Sequence, residues 1–338
     1  MRGAPNGILL VDKAEGWTSH DVVAKARRAL GTRKVGHAGT LDPMATGLLM
    51  LGAGPATRLL THLVGLDKTY TATIRLGQST VTDDREGEII ATGPEATVRE
   101  LAGDATVLRE AVAALTGPIE QAPSAVSAIK VDGRRAYDRV RAGEQVELPK
   151  RPVTVHSFEL DELRLVEVPA TETGDASAGA AGGVVLDVDV VVRCSSGTYV
   201  RALARDLGAA LGIGGHLTAL RRTAVGPFDL AGAVSNDRLA SGEPVAALLT
   251  PADIASRLFP VLALDEQQER DLGHGKRPQL AEGQRLSDGG DRAKLAAAIA
   301  PSGRLVGLIE VKNGRMRVVT NFPAAPSTQG AVSEGGLA

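Results

Sequence analysis

The chain is poor in the residues that most often announce a mechanism. Its 338 residues include a single cysteine, Cys194, which excludes an internal disulfide framework and a cysteine-rich zinc site and suits a reducing compartment. Aromatic residues make up 2% of the total, with one tryptophan, Trp17, and tyrosines at 70, 137 and 199. Cores usually lean on such rings, so each one here is a candidate for work other than packing. No apolar run approaches the roughly 20 residues that span a bilayer, and residues 1–7 lack the apolar core of a secretion signal. A cytoplasmic protein with no membrane anchor is expected. Nor does one sign of charge dominate. A net charge of −2 neither requires nor forbids a polyanionic partner, so local charge must decide.

What is present is concentrated near the start. The stretch Gly36-His37-Ala38-Gly39-Thr40-Leu41-Asp42-Pro43-Met44-Ala45-Thr46-Gly47 puts one carboxylate, one imidazole and three glycines into a dozen residues. Glycines at this density let the backbone turn sharply and approach a ligand, and an aspartate on such a loop is presented rather than packed away. A blander reading makes Asp42 a helix N-cap with Pro43 at the first helical position. Against it, Leu48-Leu49-Met50-Leu51 reads as a short buried strand where a capped helix should continue. The loop alone leaves both readings open.

Around this loop the pattern predicts a buried strand at 7–13 and a helix at about 20–30 carrying Lys25, Arg27 and Arg28. Arg33 and Lys34 extend that basic surface toward Asp42, either as a phosphate cradle or as a solvated face. Residues 69–76 alternate, with Tyr70, Ala72, Ile74 and Leu76 on the inward face. A polar loop at 77–87 and a helix at about 97–115 follow. Residues 121–151 carry seven cations, Lys130, Arg134, Arg135, Arg139, Arg141, Lys150 and Arg151, against four acids, and read as a basic arm rather than core. Residues 169–183, rich in Ala, Gly, Thr and acids, read as a surface insertion with little order.

A strand at 184–193 leads into a helix at 199–211 whose apolar stripe is Val200, Leu203, Leu207 and Leu211. If Thr198 caps that helix, Arg201 falls in its first turn, where the macrodipole disfavours a cation. It then either faces solvent or pairs with a carboxylate in a cleft. Beyond about residue 251 the pattern restarts with a helix at 265–272 and strands at 304–311 and 315–319 across an Asn313-Gly314 turn. This marks a small second domain over 256–323, with a disordered tail at 324–338.

Several motifs share one order. Lys13 with Gly16, the Gly36–Gly47 stretch, Asp67-Lys68-Thr69-Tyr70, Gln121 and Pro123 with Ser127-Ala128, Gly197-Thr198-Tyr199-Val200-Arg201 and Leu220-Arg221-Arg222 resemble the TruB family of tRNA pseudouridine-55 synthases over roughly residues 7–230. The tail from about Phe259 resembles the small PUA-like RNA-binding domain that the family often carries. The resemblance implies an α+β pseudouridine synthase fold over 1–250, with a central mixed, mainly antiparallel sheet flanked by helices. A small β-rich domain would follow it.

The chemistry implied is isomerisation of uridine 55 in the T loop of tRNA, by base flipping, with no metal and no organic cofactor. By position, Asp42 matches the aspartate that initiates reaction at the sugar carbon bearing the uracil, and Arg201 its partner. Tyr70 matches the tyrosine that stacks on the base and assists removal of the C5 proton. Leu220 matches an apolar wall of the pocket, His37 the residue that wedges into the T loop, and Asp84 a structural acid near the site. Lys13 belongs to the substrate-binding set, and Lys130, Arg135 and Arg141 lie on the arm that clamps the T stem. The implied partner is the tRNA T arm, bound by a monomer without a protein partner.

Departures are few: Ala14 stands where the family usually has proline after the lysine, and Ala122 precedes Pro123 where the family has two prolines. Two other classes compete with the enzyme. A noncatalytic tRNA-binding or tRNA-folding protein would use the same basic surfaces without needing Asp42, Tyr70 and Arg201 together. A glycoside hydrolase would need two carboxylates flanking the bond. If the arm grips phosphates, Arg135→Ala and Arg141→Ala each lower RNA affinity and flatten its dependence on log salt concentration by about one ion per lost contact. An unchanged slope in filter binding over a salt series would exclude those contacts.

Overall fold

Residues 7–13 pair because they are apolar and closely bounded by turn residues. In the computed structural model they form a strand, Gly7–Lys13 (β1), with every residue but Asp12 buried. The model describes residues 4–124, 130–131, 134–135, 148–169, 183–241, 248–287 and 295–323. After β1 comes the helix Ser19–Ala29 (α1), one residue earlier than the pattern predicts. Its start is set by a capping box in which Thr18 and Asp21 satisfy each other's backbone N–H groups.

The strand Val35–Ala38 (β2) follows and turns back into Thr46–Ala53 (β3), which is antiparallel both to β2 and, over residues 47–53, to β1. Residues 39–45 are therefore the connection of a hairpin. Asp42 accepts the Ala45 N–H through its backbone carbonyl at 3.1 Å and begins a turn, not a helix.

Lys68–Leu76 (β4) shows the predicted alternation, with Tyr70, Ala72, Ile74 and Leu76 buried. One of its edges pairs antiparallel with Gly215–Val225, which continues onto β3 by a parallel pairing of Arg221 with Thr46 and Arg222 with Gly47. The other edge carries, in order, Gly183–Cys194, Arg151–Val168 and Gly117–Gln121, all antiparallel. With Phe228–Asp229 paired to Gly215–Val225 and Val234–Ser235 paired to β1, ten strands make one mixed, mainly antiparallel sheet, as expected. The strands at 151–168 and 215–225 and the short β2 add to those the periodicity marks. The helix expected at 97–115 is two, Glu95–Gly103 and Thr106–Ala114. They divide because the Asp104 carboxylate accepts the N–H and hydroxyl of Thr106, a local bond that competes with continuing the helix.

The C-terminal part forms a four-stranded sheet from Val261–Ala263, Ala296–Ile299, Leu305–Lys312 and Arg315–Asn321. Its hairpin turns at Asn313 and Gly314, with φ of 51° and 71°, the left-handed pair that suits two twisted strands. One side of this sheet has its own core, including Leu262, Leu272, Ile309 and Met316. The other side is shared: Leu305, Leu308 and Phe322 join Ile8, Leu48, Met50 and Phe228 in one apolar cluster beneath β1 and β3. No helix among the described residues is long and apolar enough to cross a membrane. The tail at 324–338 and nearly all of the insertion expected at 169–183 lie outside the described residues.

Gly47, at the start of β3, has φ of +99°, and a Cβ there would run into the backbone carbonyl of Arg222 on the parallel neighbour. Gly47→Ala is expected to cost about 3 kcal/mol, measured by urea unfolding, through backbone strain added to overpacking. A loss under about 1 kcal/mol would show that the two strands do not need this close approach.

Candidate active site

Arg201 organises the site. The helix that carries it, Val200–Ala210, is capped by Tyr199 and not by Thr198 as its spacing suggested. Thr198 is spent locally: its hydroxyl donates to the Ser195 carbonyl at 3.0 Å and closes the turn before the helix. Tyr199 provides no side-chain cap. Gln121, on a distant strand, holds the capping residue in place: its Oε1 accepts the Tyr199 N–H at 2.8 Å and its Nε2 donates to the Tyr199 carbonyl at 3.1 Å. Arg201 is then the second helical residue, where a cation is disfavoured by a few tenths of a kcal/mol or more.

Two carboxylates outweigh that penalty. Arg201 Nε lies 3.1 Å from Asp42 Oδ2, and Nη1 lies 3.1 Å from Asp84 Oδ2 while also donating to the Thr82 carbonyl at 3.0 Å. The acids differ in what remains to them. Asp84 is spent, because its Oδ1 accepts the Thr82 hydroxyl at 2.6 Å and the Glu86 N–H at 3.0 Å and its side chain is 3% exposed. The Asp42 side chain is 39% exposed, and among the described residues its Oδ1 accepts no hydrogen bond. One arginine thus joins a buried acid, Asp84, to a presented one, Asp42.

The preceding residue makes this possible. Asp83 adopts a left-handed φ of 59°, so the backbone bends and consecutive acids diverge, Asp84 to Arg201 and Asp83 to Arg205 Nη1 at 3.3 Å, one turn along the same helix. Burial pushes the Asp83 carboxyl upward, with Arg205 opposing.

Asp42 and Arg201 face a cavity of about 490 Å³ lined also by Tyr70, Tyr199, Leu220 and the loop 195–198. Tyr70 is 8% exposed, and burial raises its phenol above the ordinary value while the neighbouring Arg222 opposes the rise. Leu220 sits opposite Ala72 in the next strand and forms a wall beside Tyr70. Four predicted residues, Asp42, Tyr70, Arg201 and Leu220, therefore converge, and Asp84 supports them from behind.

Others do not line the cavity. Lys13 was expected to touch substrate; it is fully buried, and its ammonium donates to the carbonyls of Ala14, Trp17 and Pro43 at 3.1, 2.7 and 3.2 Å. The correction follows from geometry, since an ammonium surrounded by three carbonyls has no donor to offer outward. It ties β1 to the back of the Asp42 loop instead. His37, half-buried on β2, sets its ring edge-on to His20 at 5.8 Å, and burial lowers its pKa. Of the arm, Lys130–Val131 pairs with Arg134–Arg135 as a two-strand hairpin, while Arg141 and the side chains of Lys130 and Arg135 lie outside the described residues.

Comparison with known proteins places this arrangement. Residues 27–200 match the model of the TruB family pseudouridylate synthase N-terminal domain. Residues 201–255 match the tRNA pseudouridylate synthase B C-terminal domain, and 259–323 match tRNA pseudouridine synthase II, C terminal. The chain belongs to the TruB family. Among relatives named tRNA pseudouridine synthase B, that of Leifsonia xyli subsp. xyli is 55% identical over 94% of this chain and 97% of its own. One from Arthrobacter sp. is 52% identical over 96% and 98%. Of solved structures, the chain resembles one in an H/ACA RNP bound to a substrate RNA containing 2'-deoxyuridine, with a TM-score of 0.64 and 23% identity over 95% of this chain and 86% of that one. A second, in an archaeal Nop10-Cbf5 complex, gives a TM-score of 0.64 at 22% identity, covering 95% and 88%. These structural likenesses bear on the fold, which is that of the pseudouridine synthases.

Within this TruB family site, sequence reasoning missed two lining cations, Lys68 and Arg222. Their signal was a charged residue at an inward position of a strand. Arg222 is two residues from Leu220 and so shares its face; Lys68 is two before Tyr70. Lys68 is 7% exposed, and its ammonium donates to the Val64 and Leu66 carbonyls at 2.5 and 2.6 Å, closing the helix Leu60–Val64. Burial brings both Lys68 and Lys13 down to about 8.

A lysine whose pKa is lower folded than unfolded binds fewer protons folded, so its contribution to stability rises with pH between about 8 and 10.5. The stability of the wild type relative to Lys68→Met is expected to grow by roughly 1–3 kcal/mol from pH 7.5 to 10 in denaturant titrations. A constant difference would mean that Lys68 titrates normally in the fold.

Proposed function

We propose that the chain converts uridine 55 in the T loop of tRNA to pseudouridine, acting as a monomer on the T arm. In this reading Asp42 initiates reaction at C1′, Arg201 holds the Asp42 carboxylate aimed, and Tyr70 stacks on the flipped base. The enzyme class is that of its family: a tRNA pseudouridine synthase, an isomerase that detaches uracil and rejoins it through C5. The relatives' shared name and near-complete coverage support tRNA as the substrate.

The observation that carries the reading is the Asp42–Arg201–Asp84 bridge. Isomerisation of this kind needs one presented carboxylate fixed in direction, and the guanidinium Nε 3.1 Å from Asp42 Oδ2 fixes that direction. A glycoside hydrolase needs a second carboxylate across the bond, and the neighbouring acid, Asp84, is sealed behind Arg201 with both oxygens engaged. A passive RNA-binding protein has no use for an acid facing a cavity that receives a polyanion. Extruding a stacked uridine costs a few kcal/mol, which phosphate contacts from the basic arm and apolar contact with Tyr70 and Leu220 must offset. His37, on β2 shortly before Gly39, suits a wedge at the rim of the loop. The β-rich unit at 256–323 extends the surface available to tRNA outside the T arm.

Incubation with a T-arm stem–loop RNA, followed by chemical mapping of pseudouridine, is expected to place the product at the T-loop uridine. Asp42→Asn is expected to lower turnover at least 10⁴-fold while RNA affinity stays within about threefold, since it removes the reacting group and leaves the binding surface. No product with the wild-type chain, or near-normal turnover by Asp42→Asn, would overturn the assignment.

A further inference from the structure

Arg222 has no role in the chemistry described so far, and its surroundings are costly. It is 1% exposed, and among the described residues no carboxylate pairs with it. Its charge is felt by Lys13, His37, Lys68 and Tyr70, none of them an anion at neutral pH. A buried guanidinium without a carboxylate partner is costly where an apolar residue of similar volume would not be. What a guanidinium supplies in return is a rigid fork of donors.

The fork is used on the catalytic loop. Nε donates to the Leu48 carbonyl at 2.7 Å and Nη2 to the Gly39 carbonyl at 3.0 Å, so one planar group binds the chain on both sides of Asp42. The backbone of Arg222 adds a second constraint: it pairs with Gly47 on one edge and with Tyr70 on the other. The loop that presents the acid and the strand that presents the ring thus meet at this one residue. Lys13 braces the same loop from behind through Pro43, but its ammonium bonds neither the Leu48 nor the Gly39 carbonyl.

We propose that Arg222 is a positioning residue for the isomerisation, holding the Asp42 loop and Tyr70 at one fixed spacing across the cavity. The inference rests on the roles assigned to Asp42 and Tyr70 above. Misplacing a reacting group by about 1 Å can cost on the order of 100-fold in rate without weakening binding elsewhere. Loss of the fork therefore acts on the chemical step and not on capture of the RNA.

Single-turnover rates on saturating T-arm RNA test this, measured where circular dichroism shows each protein folded, beside RNA affinities from filter binding. Arg222→Met is expected to slow pseudouridine formation about 100-fold or more, with Kd within about threefold of wild type. Arg222→Lys keeps a cation but reaches one carbonyl at a time, and is expected to recover about tenfold of that loss. If Arg222→Met does not fold, Arg222→Lys decides alone: a rate about tenfold below wild type at unchanged Kd supports the proposal. A rate within threefold of wild type, or a loss of affinity that matches the loss of rate, overturns it. An inactive wild-type chain overturns the functional reading itself, whereas an active wild type with an equally active Arg222→Lys overturns only the role of Arg222.

Discussion

The site depends on one guanidinium shared by two carboxylates. Arg201 is buried, sits at the wrong end of a helix for its charge, and is stabilised by Asp84 sealed against it on one side and Asp42 on the other. Removing either acid leaves a buried cation partly unpaired, so the elements that supply the acids are held as firmly as the arginine. Gln121 fixes the helix start, the left-handed Asp83 turns the chain so that Asp84 points inward, and the β2–β3 connection brings Asp42 within reach.

Around this bridge the protein accumulates buried positive charge. Lys13, Lys68 and Arg222 all lie within or beneath the walls of a cavity in which, among its described lining residues, Asp42 is the one carboxylate. Each cation is satisfied by backbone carbonyls and not by an acid, so each orders a segment of chain: the loop at Pro43, the helix end at Val64, the hairpin at Gly39 and Leu48. The arrangement is destabilising as electrostatics, since like charges crowd together in a low dielectric. The same positive field suits a site that admits a nucleotide with its phosphates.

Much of this was legible beforehand where local chemistry agreed with the fold. Strand β4 alternated cleanly, and Asn313-Gly314 made the hairpin it advertised. Two of the longest strands were not legible. Arg151–Val168 breaks its register twice against its neighbour, between Val155 and Ser157 and between Leu160 and Leu163, so the period of two slips before it can be recognised. Gly215–Val225 slips likewise, and its buried position 222 holds an arginine where the pattern calls for an apolar residue. Thr198 looked like a helix cap because its residue type suits one; a bond to Ser195 claimed it first, and Tyr199 caps the helix, held there by Gln121 from 78 residues away. Lys13 was read as a substrate contact from its place in the family's motifs, and three carbonyls claimed its ammonium.

The sequence by itself determined the class of chemistry through the shared order of its motifs: the stretches around Asp42, Tyr70, Arg201 and Leu220 together resemble one family, whereas residue type and spacing at each position alone left its role open. The order of motifs along a chain survives any small error in the fold. The tertiary structure alone decided which charges meet. That Arg201 joins Asp42 to Asp84, that Lys13 turns inward, and that Arg222 ties the loop to Tyr70 all depend on strands far apart in the chain becoming neighbours in one sheet. Ion pairing falls off over a few ångströms, a distance that spacing along a chain does not encode.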